Sequence, residues 1–110
     1  MKPINPTEVQ AALQGFVDQS VYVHLETTTG AYAATPVSAF IRNASVRFSR
    51  ATLAGTGPYR AGLQMSNGWI YAEGLTDWEV TPESRLLMAG HDAEGRLAIA
   101  LELSLTPFPA

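Results

Sequence analysis

Between Arg96 and Leu105 every second residue is a large aliphatic one: Leu97, Ile99, Leu101, Leu103 and Leu105. Successive side chains of a strand point to opposite faces, so these five share a single apolar face. Such a face must be buried, which points to a barrel or a sandwich. The same period of two returns upstream. In Val21–Glu26, Val21, Val23 and Leu25 share one face while Tyr22, His24 and Glu26 share the other. In Tyr59–Met65, the residues Tyr59, Ala61, Leu63 and Met65 oppose Arg60, Gly62 and Gln64.

Turn signals punctuate these runs. Ser66-Asn67-Gly68 is a hairpin signal, because Asn-Gly tolerates the positive φ values that a tight hairpin needs. Its partner strand is then Trp69–Leu75. Ala39–Phe48 reads as a long strand with Phe40, Val46 and Phe48 on one face, and Asn43-Ala44-Ser45 as the place for a bulge. Ala51–Ala54 is a short strand, followed by a loop at Gly55–Pro58. Thr27–Gly30 reads as a turn, Ala31–Thr35 as a return strand, and Pro36 as its end. Thr76–Val80 continues or restarts the hairpin strand, Thr81–Ser84 is a turn, and Arg85–Ala89 is another strand. Gly90–Gly95 is a loop that holds His91 and Asp92. The sum is a mostly-β domain, a closed or partly open barrel or sandwich of about eight or nine short strands, running from about residue 20 to 105.

One segment departs from that period. Val9, Ala12, Leu13 and Phe16 recur at helical spacing. Asn5 is a good N-cap, Pro6 suits the first helical position, and Glu8 favours the helix dipole. A helix from about residue 6 to 16 is predicted, its apolar face plugging one side or end of the sheets. With 110 residues and no internal repeat, the chain reads as a single domain spanning residues 1–110.

Composition narrows the function classes. Hydrophobic residues are 46% and charged ones 15% of the chain, too apolar for a disordered protein. So little charge leaves little purely solvated surface, and a homodimer is expected to cover part of the rest. There are no cysteines, which removes disulfides, thiolate nucleophiles and sulfur-ligated metals and fits a reducing compartment. Met1–Pro6 lacks the apolar run of a signal peptide, and no stretch reaches the roughly 20 apolar residues of a membrane helix. A cytoplasmic protein is expected. The net charge of −3 is unevenly spread: residues 27–72 hold no acid but four arginines, Arg42, Arg47, Arg50 and Arg60. Four arginines fall short of a nucleic-acid footprint, so pairing of basic with acidic strands is the preferred account over an anion-binding face.

Two constellations carry chemistry. His24 and Glu26 point the same way from one strand, and with His91 they offer nitrogen and oxygen ligands to a zinc-like metal. A small metal-assisted hydrolase would follow. Arg42, Tyr59, Arg60, Tyr71 and Glu73 form the second: arginine beside aromatic faces can hold a carboxylate or phosphate while a ring packs the rest of a ligand. The plain alternative is an Arg60–Glu73 pair bracing the hairpin. Trp69 and Trp78 read as core or interface anchors. Ser45, Ser49 and Ser66 have no nucleophile setting, and Gly55-Thr56-Gly57-Pro58 lacks the lysine and helix of a phosphate loop. No cofactor is implied.

Short matches recur in order along nearly the whole chain. They include His24-Leu25-Glu26-Thr27-Thr28, Gly30-Ala31-Tyr32-Ala33, Phe40-Ile41-Arg42-Asn43 and Gly57-Pro58-Tyr59-Arg60. They continue through Gly68-Trp69-Ile70-Tyr71-Ala72-Glu73-Gly74-Leu75, Ala89-Gly90-His91-Asp92, Glu94-Gly95-Arg96-Leu97 and Thr106-Pro107-Phe108. On these the chain resembles the YojF family of small bacterial proteins from Bacillus-like organisms. That resemblance implies a mostly-β, barrel-like domain of unknown function. It also implies an accessory role beside a deacetylase of the kind used in bacillithiol synthesis, and it carries over no catalytic residue. The expectation is therefore a non-catalytic binding or accessory protein acting with a partner enzyme or a small anionic metabolite.

Overall fold

A computed structural model of the chain describes residues 1–28 and 37–109. Helix α1 (Pro6–Gln14) starts where the capping signals place it: the Asn5 side-chain oxygen accepts from the Glu8 N–H at 3.1 Å. It ends before residue 16, because the chain tightens into three-residue turns, Phe16 N–H to Leu13 C=O and Val17 N–H to Gln14 C=O. Phe16 nevertheless stays on the apolar face with Val9 and Leu13, and all three are buried.

The strands are β1 (Lys2–Pro3), β2 (Val21–Thr28), β3 (Ser38–Val46), β4 (Arg50–Ala54), β5 (Tyr59–Met65), β6 (Gly68–Leu75), β7 (Asp77–Val80), β8 (Leu86–His91) and β9 (Leu97–Ser104). They form two antiparallel sheets: six strands in the order β1-β7-β8-β9-β2-β3, and three in the order β4-β5-β6. The result is a sandwich, and no barrel closes among the described residues. The β5–β6 hairpin forms at the expected place, but its two turn residues are Ser66 and Asn67: Met65 lies opposite Gly68, which opens β6, and neither Asn67 nor Gly68 takes a positive φ. Strand β1 has too few residues to show a period and is legible only through its partners, Trp78 and Asp77.

Burial follows the alternation. Leu101 and Leu103 of β9 meet Val21 and Val23 of β2, Leu86 and Met88 of β8, and Ala61, Leu63 and Leu75 of the small sheet in one core. Each of the leucine, valine and methionine side chains among them contributes roughly 1.5–3 kcal/mol when fully buried. Leu105 lies past the end of β9 and is half exposed, so the aliphatic face stops one residue short of its pattern. Trp78 is buried in the core, while Trp69 is on the surface. The helix also closes a sheet edge: Gln10 Nε2 donates to Ala51 C=O at 2.9 Å and its Oε1 accepts from Leu53 N–H at 2.8 Å. One side-chain amide thereby does for β4 what a neighbouring strand would do.

Three expectations are corrected. Phe40, Val46 and Phe48 do not share a face. Val23 pairs with Ala44 and His24 with Arg42, leaving Asn43 as the extra residue of a bulge at φ 59°. The bulge reverses the alternation, so Phe40 is 65% exposed, and the strand ends at Val46 before the buried Phe48. Gly90 and His91 belong to β8, not to the following loop. Thr27 and Thr28 extend β2 rather than turning. The rest of that predicted turn, the Ala31–Thr35 strand and Pro36 lie outside the described residues.

The chain changes sheet at Thr76. Tyr59 pairs with Leu75 and Arg60 with Glu73, so Gly74 is bulged out of the ladder at φ 85°. Beyond it Thr76 N–H donates to Ala89 C=O at 2.8 Å, and Asp77 pairs with Ala89 on the large sheet. The crossing runs over Gly90. A Cβ there would lie 2.9 Å from the Gly74 carbonyl carbon, closer still to its oxygen, and 2.6 Å from Ile99 Cγ2. Gly90→Ala is therefore expected to destabilise the protein by at least about 3 kcal/mol, because backbone cannot yield as a flexible side chain does. Urea denaturation checks this, with Gly68→Ala, whose Cβ meets open space, as the mild comparison.

Candidate functional site

The outer face of the small sheet is a grid of three rows. Arg50 lies opposite Gln64 and Gln64 opposite Trp69; Thr52, Gly62 and Tyr71 form the middle row; Ala54, Arg60 and Glu73 the third. Alternation puts these residues outward because Ala51, Ala61, Leu63 and Ala72 between them are buried. Trp69 and Tyr71 are stacked, with ring centroids 5.3 Å apart and planes within 5°. They remain 42% and 46% exposed. The Arg60 guanidinium lies over the Tyr71 ring at 4.1 Å, and its Nε is 3.6 Å from a Glu73 carboxylate oxygen.

Gly62 gives the rings their place. A Cβ on it would meet Tyr71 Cε1 at 3.1 Å and Trp69 Cζ3 at 3.6 Å, so the ring edges lean across this glycine. Beside them is an open groove of about 220 Å³ lined by Arg50, Thr52, Ala54, Arg60, Gly62, Trp69 and Tyr71. Ring edges carry the positive end of the aromatic quadrupole, so walls and arginines favour an anion together. Outside the β4–β5 backbone ladder, the Arg50 side chain makes no hydrogen bond or ion pair with any described residue.

The predicted ligand set is thus divided. Arg60, Tyr71 and Glu73 come together, and the Arg60–Glu73 pair is present. Tyr59 sits on the opposite face of β5, packed against the core. Arg42 is on the other sheet, donating to Pro109 C=O from Nε at 3.2 Å and from a terminal nitrogen at 2.8 Å. Arg50, Thr52, Gly62 and Trp69 complete the site without having been expected there. The period-two run Trp69, Tyr71, Glu73 already put Trp69 on this face. Arg50 and Thr52 depend on how β4 pairs with β5.

The proposed metal ligands are also divided. His24 is only 8% exposed. Arg42 has only donors, so His24 Nδ1 accepts from it at 3.3 Å and the His24 Nε2–H donates to Glu26 at 3.0 Å. The C-terminal tail covers this group. Asn43 accepts from Phe108 N–H at 2.7 Å and donates to Phe108 C=O at 2.8 Å, while Arg85 donates to Pro107 C=O at 3.0 Å. The Phe108 ring lies 5.0 Å from both the Arg42 and Arg85 guanidinium carbons and edge-on to His24.

His91 belongs elsewhere. His24 is in row with Glu102 and Leu87, and His91 lies four residues further along β8 from Leu87, roughly 13 Å of strand. Its Nδ1 is 3.1 Å from Asp77 Oδ1. Among the described residues, no three histidine, aspartate or glutamate side chains come close enough to share a metal ion. The Thr76 hydroxyl, donating to Asp77 at 2.6 Å, holds that carboxyl below its ordinary value; burial opposes this, and His91 adds to it. No helix among the described residues is long and apolar enough to cross a membrane.

These features define a class: a small antiparallel β-sandwich with one helix, a tail-covered outer face on its large sheet and a bare aromatic–arginine face on its small one. The family model described as "Protein of unknown function (DUF1806)" matches residues 3–108, and the chain belongs to that family. It is 53% identical, over 98% of both sequences, to the "Uncharacterized protein YojF" of Bacillus subtilis (strain 168). Its fold is similar to the crystal structure of the Bacillus subtilis YojF protein, with a TM-score of 0.87 and 51% identity over 99% of this chain and 97% of that one.

Two outcomes are expected. Asp77 has a depressed pKa in the folded state, so its stabilising contribution is complete above the ordinary 3.8 and is lost as pH falls through its lower folded value. The stability gap between wild type and Asp77→Asn, measured by urea titration, should shrink as pH drops below 3.8. Phe108→Ala strips the cover from His24 and should cost roughly 1–3 kcal/mol by the same measurement.

Proposed function

We propose that the protein is a non-catalytic binding domain that takes a small anionic ligand in the groove between β4 and the Trp69–Tyr71 stack. The observation that carries this is the Arg50 guanidinium, which has no partner among the described residues and stands at a groove walled by exposed aromatic rings. In this reading Arg50 anchors a carboxylate or phosphate. Thr52 offers a hydroxyl, and Trp69 and Tyr71 pack the apolar remainder. Arg60 supplies a second positive charge, held in place by its stacking on Tyr71 and its bond to Glu73. Thr52, Gly62 and Tyr71 lie in one ladder row, so the groove floor is rigid before any ligand arrives.

An accessory role in the cytosol goes with this reading. The lack of cysteine fits a reducing compartment, and the family resemblance supplies the partner we propose, a deacetylase of the bacillithiol type. Co-purification of the two from a common cytosol tests that partner separately from the groove.

The groove is tested by titrating the labelled protein with inorganic phosphate and, in parallel, with benzoate, following backbone amide NMR signals. Shifts confined to β4–β6 are expected, stronger for the aromatic anion and weakened by salt. Arg50→Gln should raise the dissociation constant at least about tenfold, and Trp69→Ala should weaken benzoate more than phosphate. If neither anion moves the β4–β6 amides, the proposal is overturned.

A further inference from the structure

The sheet edges differ in how they are finished. The β4 edge is bonded by the Gln10 side-chain amide, and the large sheet ends at β1 on a two-residue strand containing Pro3. Short strands, proline and covering elements keep sheet edges from pairing with other chains. The other end of the large sheet is β3, nine residues long and hydrogen-bonded as a strand only to β2 among the described residues. Its half before the Asn43 bulge, Ser38–Ile41, carries no proline and no charge. Phe40 is 65% exposed and Ile41 53% exposed. Beside them is an apolar depression of about 180 Å³ lined by Leu25, Thr27, Ala39, Phe40 and Ile41.

We propose that two copies of the chain form a two-fold dimer by antiparallel pairing of their β3 edges over Ser38–Ile41. Three observations favour a second copy over another occupant. An antiparallel edge is complementary to itself, so one two-fold axis satisfies the free backbone groups of both copies. Ile41 protrudes on the same sheet face as the depression that it lines with Leu25, Thr27 and Ala39, so with the two Phe40 residues opposite each other Ile41 of each copy stands beside Ala39 of the other and covers its depression. The segment is uncharged, so the pairing sets no like charges together, and it offers nothing to steer a charged partner. Arg42, which ends the segment, is already engaged by Pro109 C=O and His24 and does not face its symmetry mate unpaired. The bulge at Asn43 sets the limit of the pairing, because its extra residue breaks the ladder. This interface is on the large sheet and is independent of the groove on the small one.

Sedimentation velocity of the full chain across a wide concentration range is the test, with hydrogen exchange on the same samples. Wild type is expected to pass from monomer to dimer as concentration rises. The Ser38–Ile41 amides should gain protection in step. Ile41→Lys should raise the dimer dissociation constant at least about tenfold, as should Phe40→Lys on the opposite strand face. Both side chains are exposed, so thermal melts taken at concentrations where wild type is monomeric should match wild type. Trp69→Ala should leave the dimer intact. A chain that stays monomeric at every concentration overturns the proposal. So does a dimer that both lysine variants leave unchanged, a dimer that Trp69→Ala dissolves, or edge protection that ignores concentration. The wild-type exchange data decide the matter even if one variant does not fold.

Discussion

The structure depends on the backbone crossing at Gly74 and Gly90. Two sheets share one core only if the chain passes from one to the other without a gap, and it does so at Thr76, directly over β8. Any side chain at position 90 would stand in the path of the Gly74 carbonyl. The bulge at Gly74 turns β6 out of its own ladder, and the Thr76–Ala89 bond receives the chain on the large sheet. Leu75 and Ala72, just before the crossing, are thereby buried against the other layer. The close approach thus fixes the spacing at which all the aliphatic faces meet.

The same arrangement leaves two outer faces with different fates. On the large sheet, the outward His24 would be a polar group on an open surface. The tail closes over it instead, and three successive tail carbonyls accept from Arg85, Asn43 and Arg42. A tail without regular structure stays in place there because side chains satisfy its backbone groups as a neighbouring strand would. On the small sheet nothing among the described residues covers the Trp69–Tyr71 stack. Exposed aromatic area beside an arginine side chain with no partner among the described residues is what supports the binding proposal for that face.

Much of the fold was legible in the sequence. Strands β5, β6 and β9, the hairpin at Ser66–Gly68 and the capped start of α1 each rest on local rules and appear there, although the hairpin turns on Ser66-Asn67 rather than on Asn67-Gly68. The bulge region at Asn43 was legible as a break in alternation. Its consequence was not, because one extra residue moves Phe40 to the opposite face from Val46, and the strand alone does not say which residue is extra. Of the candidate site, Arg60, Tyr71 and Glu73 could be brought together by counting across a two-residue turn. Arg50 could not, because no local signal sets the register of β4 against β5 that puts Arg50 opposite Gln64 and Thr52 opposite Gly62. Tyr59 was grouped with the site although its own alternation with Ala61 and Leu63 already pointed it at the core.

By itself the sequence determined the period of its main strands, the place of its tightest turn and the identity of the buried aliphatic face. These follow from the fixed two-residue repeat of a strand and from steric limits at single residues. The tertiary structure decided which strands share a sheet, that the layers stay a sandwich, and that His24 pairs with Glu26 while His91 pairs with Asp77. Those outcomes turn on contacts between residues far apart in the chain, where many pairings satisfy the same alternation and only the combined packing of both sheets and the helix selects one.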